Sequence, residues 1–254
     1  MPSAMRSFEH DGLRLAYDVL GEGFPVILHT GAGGDSRMWR DAGYVDALGD
    51  YMVVLFDHRG HGASEAPTDP RGYLPEHHAA DVVALADHLG LDRFAFWGYS
   101  AGARFGFQLA ATQPDRVAGL IALGTVDPED ADPAEWLTDA EDARANGLEP
   151  ILGDESIPPW LRENLRSTDN EVLARGFECF ADWSPWPLFA RITAPVLIVA
   201  GELEDEGCTE AAARIARGRA VILPGLGHID AFVQSQRVLQ HALPFLDEVR
   251  TRAS

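Results

Sequence analysis

The chain has no lysine. All 20 of its basic residues are arginine, they stand against 40 acidic residues, and the formal net charge is −20. Phosphate recognition needs clustered cations, so this balance speaks against nucleic acid and anionic membranes as partners. A well-solvated surface is enough to explain the acidic excess. Cysteine is almost as scarce: Cys179 and Cys208 are the only two, and neither stands in a C-x-x-C pair or beside a histidine at ligand spacing. A disulfide framework and a thiolate zinc site are therefore not expected. No window approaches 18 consecutive apolar residues, and the opening stretch MPSAMRSFEHDGLRL carries no apolar secretory core. The expectation is a cytoplasmic protein that crosses no membrane.

What is present is an ordinary globular composition, 46% hydrophobic over 254 residues, enough for one large core carrying a modest insertion. MRSFEH and LRLAYDVL alternate apolar with polar and are split by Asp11-Gly12, which predicts a β-hairpin. FPVILHT (24–30), YMVVLFD (51–57), RFAFWG (93–98), VAGLIALG (117–124), PVLIVAG (195–201) and RAVILP (219–224) read as strands of a largely buried sheet. Between and after them, helical spacing is expected over 36–48, 75–90, 101–112, 209–216 and 229–249. Strand and helix in alternation predict an α/β fold with a mostly parallel sheet of about eight strands and helices on both faces. Residues 126–190 break the pattern with short, proline-interrupted helices and carry Trp136, Trp160, Trp183 and Trp186. They are expected to form a helical cap inserted after the sixth strand, on a core made of 1–125 and 191–254.

Gly98-Tyr99-Ser100-Ala101-Gly102 fits the G-x-S-x-G nucleophile elbow and falls where a strand gives way to a helix, the context that motif demands. A serine hydroxyl is a weak nucleophile unless a base takes its proton and a carboxylate orients that base. Of the nine histidines, only His228 and His241 follow the insertion. His228 lies in the loop PGLGHID and is the expected base, whereas His241 sits within a helix and is expected at the surface. The acid should follow a strand between Ser100 and His228, where GELEDEG offers Glu202, Glu204, Asp205 and Glu206, while Asp127 follows the strand before. His58 and His61 stand three apart without a third ligand, so no metal is expected; His77 and His78 open a helix and are expected to be solvated.

With serine, acid and histidine in this order, the chain resembles the α/β-hydrolase family. The resemblance extends to HTGAGG (29–34) and DHRGHGAS (57–64), although Thr30 replaces the usual glycine after the histidine. It implies a cofactor-free serine esterase or lactonase with a Ser100, His228 and acid triad. The family's acid usually lies three residues after the glycine ending the strand, which is Glu204 here, with Asp205 as the neighbouring candidate. It also implies an oxyanion hole from the backbone N-H groups of Ala101 and of Gly31 or Ala32. The four tryptophans and Tyr99 are the expected pocket walls. A serine nucleophile sets the chain apart from the family's dehalogenases and epoxide hydrolases, which use aspartate. Amide, thioester, carbon-carbon and peptidase chemistries, and a small-molecule sensor without catalysis, stay open beside the ester reading. The expected partner is a small-molecule substrate, and a homodimer is left open.

Overall fold

The computed structural model describes residues 5–124, 126–153 and 157–253. The first four residues and Thr125, where the expected boundary of the insertion falls, lie outside the described residues. Strands β1 (Arg6–His10) and β2 (Leu13–Leu20) form the expected hairpin, turning at Asp11 and Gly12 with φ of 52° and 74°. After β3 (Phe24–His29), the single helix expected over 36–48 is two short ones, α1 (Arg37–Asp41) and α2 (Tyr44–Ala47). The break falls at Gly43, whose φ of 83° no regular helix holds.

The alternation then proceeds as the sequence predicts through β4 (Tyr51–Asp57), α3 (Pro75–His88), β5 (Phe94–Tyr99), α4 (Ala101–Thr112) and β6 (Val117–Leu123). Between β6 and the next strand stand α5 (Pro133–Asn146), α6 (Glu149–Leu152), α7 (Pro159–Leu165), α8 (Asn170–Ala181) and α9 (Trp186–Phe189). Proline occupies one of the first two positions of α5, α6, α7 and α9, where its missing N-H costs no hydrogen bond. The chain closes with β7 (Val196–Gly201), α10 (Cys208–Arg214), β8 (Gly218–Leu223), α11 (His228–Val233) and α12 (Ser235–Ala253). The one closing helix expected over 229–249 is interrupted at Gln234, whose ψ of 54° ends α11.

The eight strands form one sheet in the order β1-β2-β4-β3-β5-β6-β7-β8. Only the pairs β1/β2 and β2/β4 are antiparallel. Alternate residues of each central strand feed opposite cores. In β5, Phe94 and Phe96 pack with α3 and α4, while Ala95, Trp97 and Tyr99 pack with α1, α2, α11 and α12. Both faces are buried, so the central strands read as unbroken apolar runs. Chain order reverses around β3, which lies between β4 and β5. A sheet of this kind opens a crevice at the carboxyl ends of the strands flanking such a reversal. The loop after β3 and the turn after β5 both end there.

Candidate active site

Ser100 occupies the single residue between β5 and α4, with φ 55° and ψ −120°. A non-glycine residue at positive φ is strained and persists only where its surroundings impose it. Here they do: the Ser100 N-H donates to the Leu123 carbonyl at 2.8 Å, tying the turn to the end of β6. The flanking glycines permit the tight turn. A Cβ on Gly98 would overlap the Gly102 carbonyl, and one on Gly102 would come within 2.6 Å of the carbonyls of His29 and Thr30.

Nε2 of His228 lies 2.9 Å from Oγ of Ser100. Gly227 caps α11 and sets His228 as its first residue, with the Tyr99 ring stacked on the imidazole at 5.1 Å between centroids. Burial and the nearby Arg104 guanidinium push the His228 pKa down to about 4, so the ring is neutral at pH 7 and free to accept the serine proton. On the other side of the ring, Nδ1 lies 3.4 Å from Oε2 of Glu204, which a 3-10 turn brings in directly after β7. That contact is electrostatic, since Nδ1 has no hydrogen-bond partner among the described residues. Such bonds commonly lengthen in an empty site and tighten around a reacting group. Burial raises the Glu204 carboxyl above the usual carboxylate range.

The sequence left Glu204 and Asp205 open as the acid, and the structure brings Glu204 to His228. The third candidate, Asp127, is instead engaged by Arg104 through two contacts of 2.9 Å. The loop after β3 approaches from the opposite side: a Cβ added to Gly31 would meet Ser100 Cβ at 2.7 Å and Oγ at 3.2 Å. Its backbone therefore passes against the serine as an oxyanion-binding loop must. Ala32 lines the same cavity, and the Ala101 N-H opens α4, where no residue one turn earlier can accept it within the helix.

Ser100 and His228 stand where two lobes of a cavity meet, one of about 440 Å³ and one of about 340 Å³. Trp136, Phe177 and Phe180 from the inserted helices wall the first, and Tyr99, Leu148 and Leu165 the second. Of the four tryptophans expected to wall the pocket, Trp136 alone does so. Trp160 packs on the core cluster that holds Trp39 and Leu161, Trp183 donates to Gln108 at 3.2 Å, and Trp186 donates to the Asp127 carbonyl at 3.0 Å while packing on Phe189. A larger open groove of about 790 Å³, near Asp11, Arg59 and Glu65, is lined by none of the expected triad residues.

Beneath the β3 loop lies a feature the sequence did not announce. His29, His58, His61 and His78 are each at most 5% exposed and pack together, His58 on His61 and His78 on Phe105 both at 3.7 Å. His78 was expected to be solvated, but its helix turns that position inward onto α4. Burial lowers the pKa of all four, so they are neutral. The Gly33 N-H donates to Nε2 of His61 at 3.0 Å, which ties the cluster to the loop. Among the described residues no group of three or more His, Cys, Asp or Glu side chains is arranged to hold a metal. Arg104 was also overlooked, although an arginine inside the otherwise apolar run GARFGFQLAA was a visible signal.

A strained serine paired with a neutral histidine at the end of a mostly parallel sheet defines a class, and the comparisons agree with it. The chain belongs to the α/β-hydrolase fold family, whose model matches residues 25–170, more than half of its length. It is 27% identical to the putative non-heme bromoperoxidase BpoC of Mycobacterium tuberculosis over 94% of this chain and 99% of that protein. It is 31% identical to 3-oxoadipate enol-lactonase 2 of Acinetobacter baylyi over 69% of this chain and 70% of that one. Among solved structures, the enol-lactonase of Burkholderia xenovorans superposes with a TM-score of 0.83 at 26% identity, covering 95% of this chain and all of that one. No helix among the described residues is long and apolar enough to cross a membrane.

Proposed function

We propose that the protein is a cofactor-free serine hydrolase that cleaves a small carboxylic ester or lactone. The observation that carries this reading is the 2.9 Å approach of His228 Nε2 to the hydroxyl of Ser100, a residue held at φ 55°. Ser100 Oγ attacks the substrate carbonyl carbon while its proton passes to Nε2 of His228. The negative oxygen that forms accepts hydrogen bonds from the Ala101 N-H and from Gly31 or Ala32. Glu204 faces Nδ1 and stabilises the imidazolium for as long as it exists. As the carbon-oxygen bond breaks, the proton moves from His228 to the leaving alkoxide, which in a lactone remains tethered to the acyl group. Water then attacks the acyl-enzyme, gives its proton to His228, and the acid leaves as Ser100 regains its hydrogen.

Relatives named for enol-lactone and ester cleavage support the substrate class. The helices between β6 and β7 supply Trp136, Phe177 and Phe180 to the pocket wall, and in this reading they act as its cap. The test is release of p-nitrophenol from p-nitrophenyl acetate by the protein and by Ser100→Ala side by side. Loss of about six orders of magnitude in kcat is expected in the variant. Equal turnover by the two proteins would overturn the assignment.

A further inference from the structure

The arginine that lines the cavity is not used by the triad. Arg104 stands in the first turn of α4, four residues after Ser100, and its N-H donates to the Ser100 carbonyl at 3.3 Å. It is only 6% exposed, yet it lines the cavity together with Ser100 and His228. A guanidinium is costly to bury unless its charge and donors are matched. Asp127 matches one edge, accepting a hydrogen bond from Nη2 at 2.9 Å and pairing with Nη1 at 2.9 Å. Two aromatic rings pack against the guanidinium from one side, with its carbon 4.8 Å from the Trp136 ring centre and 5.5 Å from that of Phe180, the two rings being 5.1 Å apart. The remaining edge is unclaimed: Nε-H has no hydrogen-bond partner among the described residues.

A guanidinium held on one edge by Asp127 and backed by two aromatic rings is fixed in place, so its open edge is preset for a planar acceptor with two oxygens. We infer that this edge binds a carboxylate carried by the substrate. The compound cleaved at Ser100 is then a short acid whose free carboxylate lies a few bonds from the scissile carbonyl. This rests on the reading of Ser100 as the nucleophile. The other charged residues of that lobe are Asp127, Glu204 and Asp230, so a carboxylate placed anywhere but at Arg104 meets like charge. Arg104 thereby fixes the orientation of the substrate as well as its class. An ion pair serving the fold alone is replaceable by packed apolar residues and has no need to stand in the cavity wall.

Two p-nitrophenyl esters of equal length test this: the valerate, which is neutral, and the hemiglutarate, in which a carboxylate replaces the terminal methyl. The protein is expected to have the higher kcat/KM with the hemiglutarate. Arg104→Met should lower the hemiglutarate-to-valerate ratio by about ten- to a hundredfold, the range of a charged hydrogen-bonded contact. Arg104→Lys, which keeps the charge and loses the fork, should fall between. Because Arg104→Met strands the Asp127 carboxylate, the same ratio is read on Arg104→Met combined with Asp127→Asn. A ratio that these variants leave unchanged overturns the proposal. Calorimetric titration of Ser100→Ala with glutarate separates the two readings. Glutarate binding that disappears with Arg104→Met, beside a protein that hydrolyses no ester, would retire the hydrolase and keep the carboxylate site. Ester turnover dependent on Ser100, without preference for the hemiglutarate and without glutarate binding, would do the reverse.

Discussion

Glu204 faces the imidazole of His228 from the side opposite Ser100, with its Oε2 3.4 Å from Nδ1. The usual aspartate is one methylene shorter, and the 3-10 turn over Glu202–Glu204 sets the longer side chain beside the ring. Asp205 begins the next turn, where its carbonyl accepts from the Cys208 N-H at 2.9 Å. Glu204→Gln is therefore expected to lower kcat by about two to four orders of magnitude, since it removes the charge that supports the imidazolium. Asp205→Asn should stay within about threefold, as changes away from a site usually do. Steady-state kinetics on p-nitrophenyl acetate decide the matter, and the opposite ranking would move the acid to Asp205.

The acid limb of activity should lie far below that of an ordinary histidine. Burial and Arg104 hold the His228 pKa at about 4, so the base stays unprotonated as pH falls from 8 towards 5. Below about 4 it takes a proton and cannot accept one from Ser100. kcat/KM is thus expected to be flat through pH 6.5, the value of a solvent-exposed imidazole, wherever circular dichroism reports a folded protein. A limb centred near 6.5 would refute the burial argument.

Stability has the opposite sensitivity, because the histidine cluster is neutral in the folded chain. His29 and His61 fall to about 4, and His58 and His78 lie well below their ordinary value. Between about 6.5 and 4 the unfolded chain binds protons that the folded chain refuses. The stability contributed by these groups is full above pH 6.5 and is lost as pH falls towards their folded values, by up to about 1.4 kcal/mol per pH unit for each. His10, raised by Asp81, and Asp57, Asp139 and Glu204, raised by burial, act in the other direction against the four cluster histidines and His228. Melting temperature should drop from pH 7 to pH 5, and His78→Leu should make that slope shallower. A melting temperature constant over this range would contradict the neutral cluster.

How much of this could be read from the chain depended on whether the signal was local. The strand, glycine, serine, glycine and helix sequence around Ser100 announced itself because β5 is buried on both faces and its turn tolerates no side chain at Gly98. His228 followed from position alone, as the histidine of a loop beyond the insertion. The interruption at Gln234 is hidden because helical spacing continues across it, with Phe232 before it and Val238 after it buried in the same core. Aromatic bulk told that Trp160, Trp183 and Trp186 would be covered, but not whether by substrate or by protein. The burial of His78 was equally hidden, since a pair of histidines at a helix start does not tell which of them faces the core.

The glycines give the sharpest contrast between positions that look alike in sequence. In Gly98 an added Cβ would run into the backbone carbonyl of Gly102, and no side-chain rotation can relieve a backbone clash. In Gly176, within α8, a Cβ meets nothing within 4 Å and φ is helical. Gly98→Ala is therefore expected to destabilise by at least about 1–3 kcal/mol, the range for overpacking, and to abolish ester hydrolysis by moving Ser100 out of its turn. Gly176→Ala should stabilise by about 0.5–1 kcal/mol, because alanine loses less backbone entropy in a helix and opposes nothing here. Urea unfolding midpoints, compared at equal m-value, test both. If the two variants shifted alike, the fit of the elbow against α4 could not be what confines residue 98 to glycine.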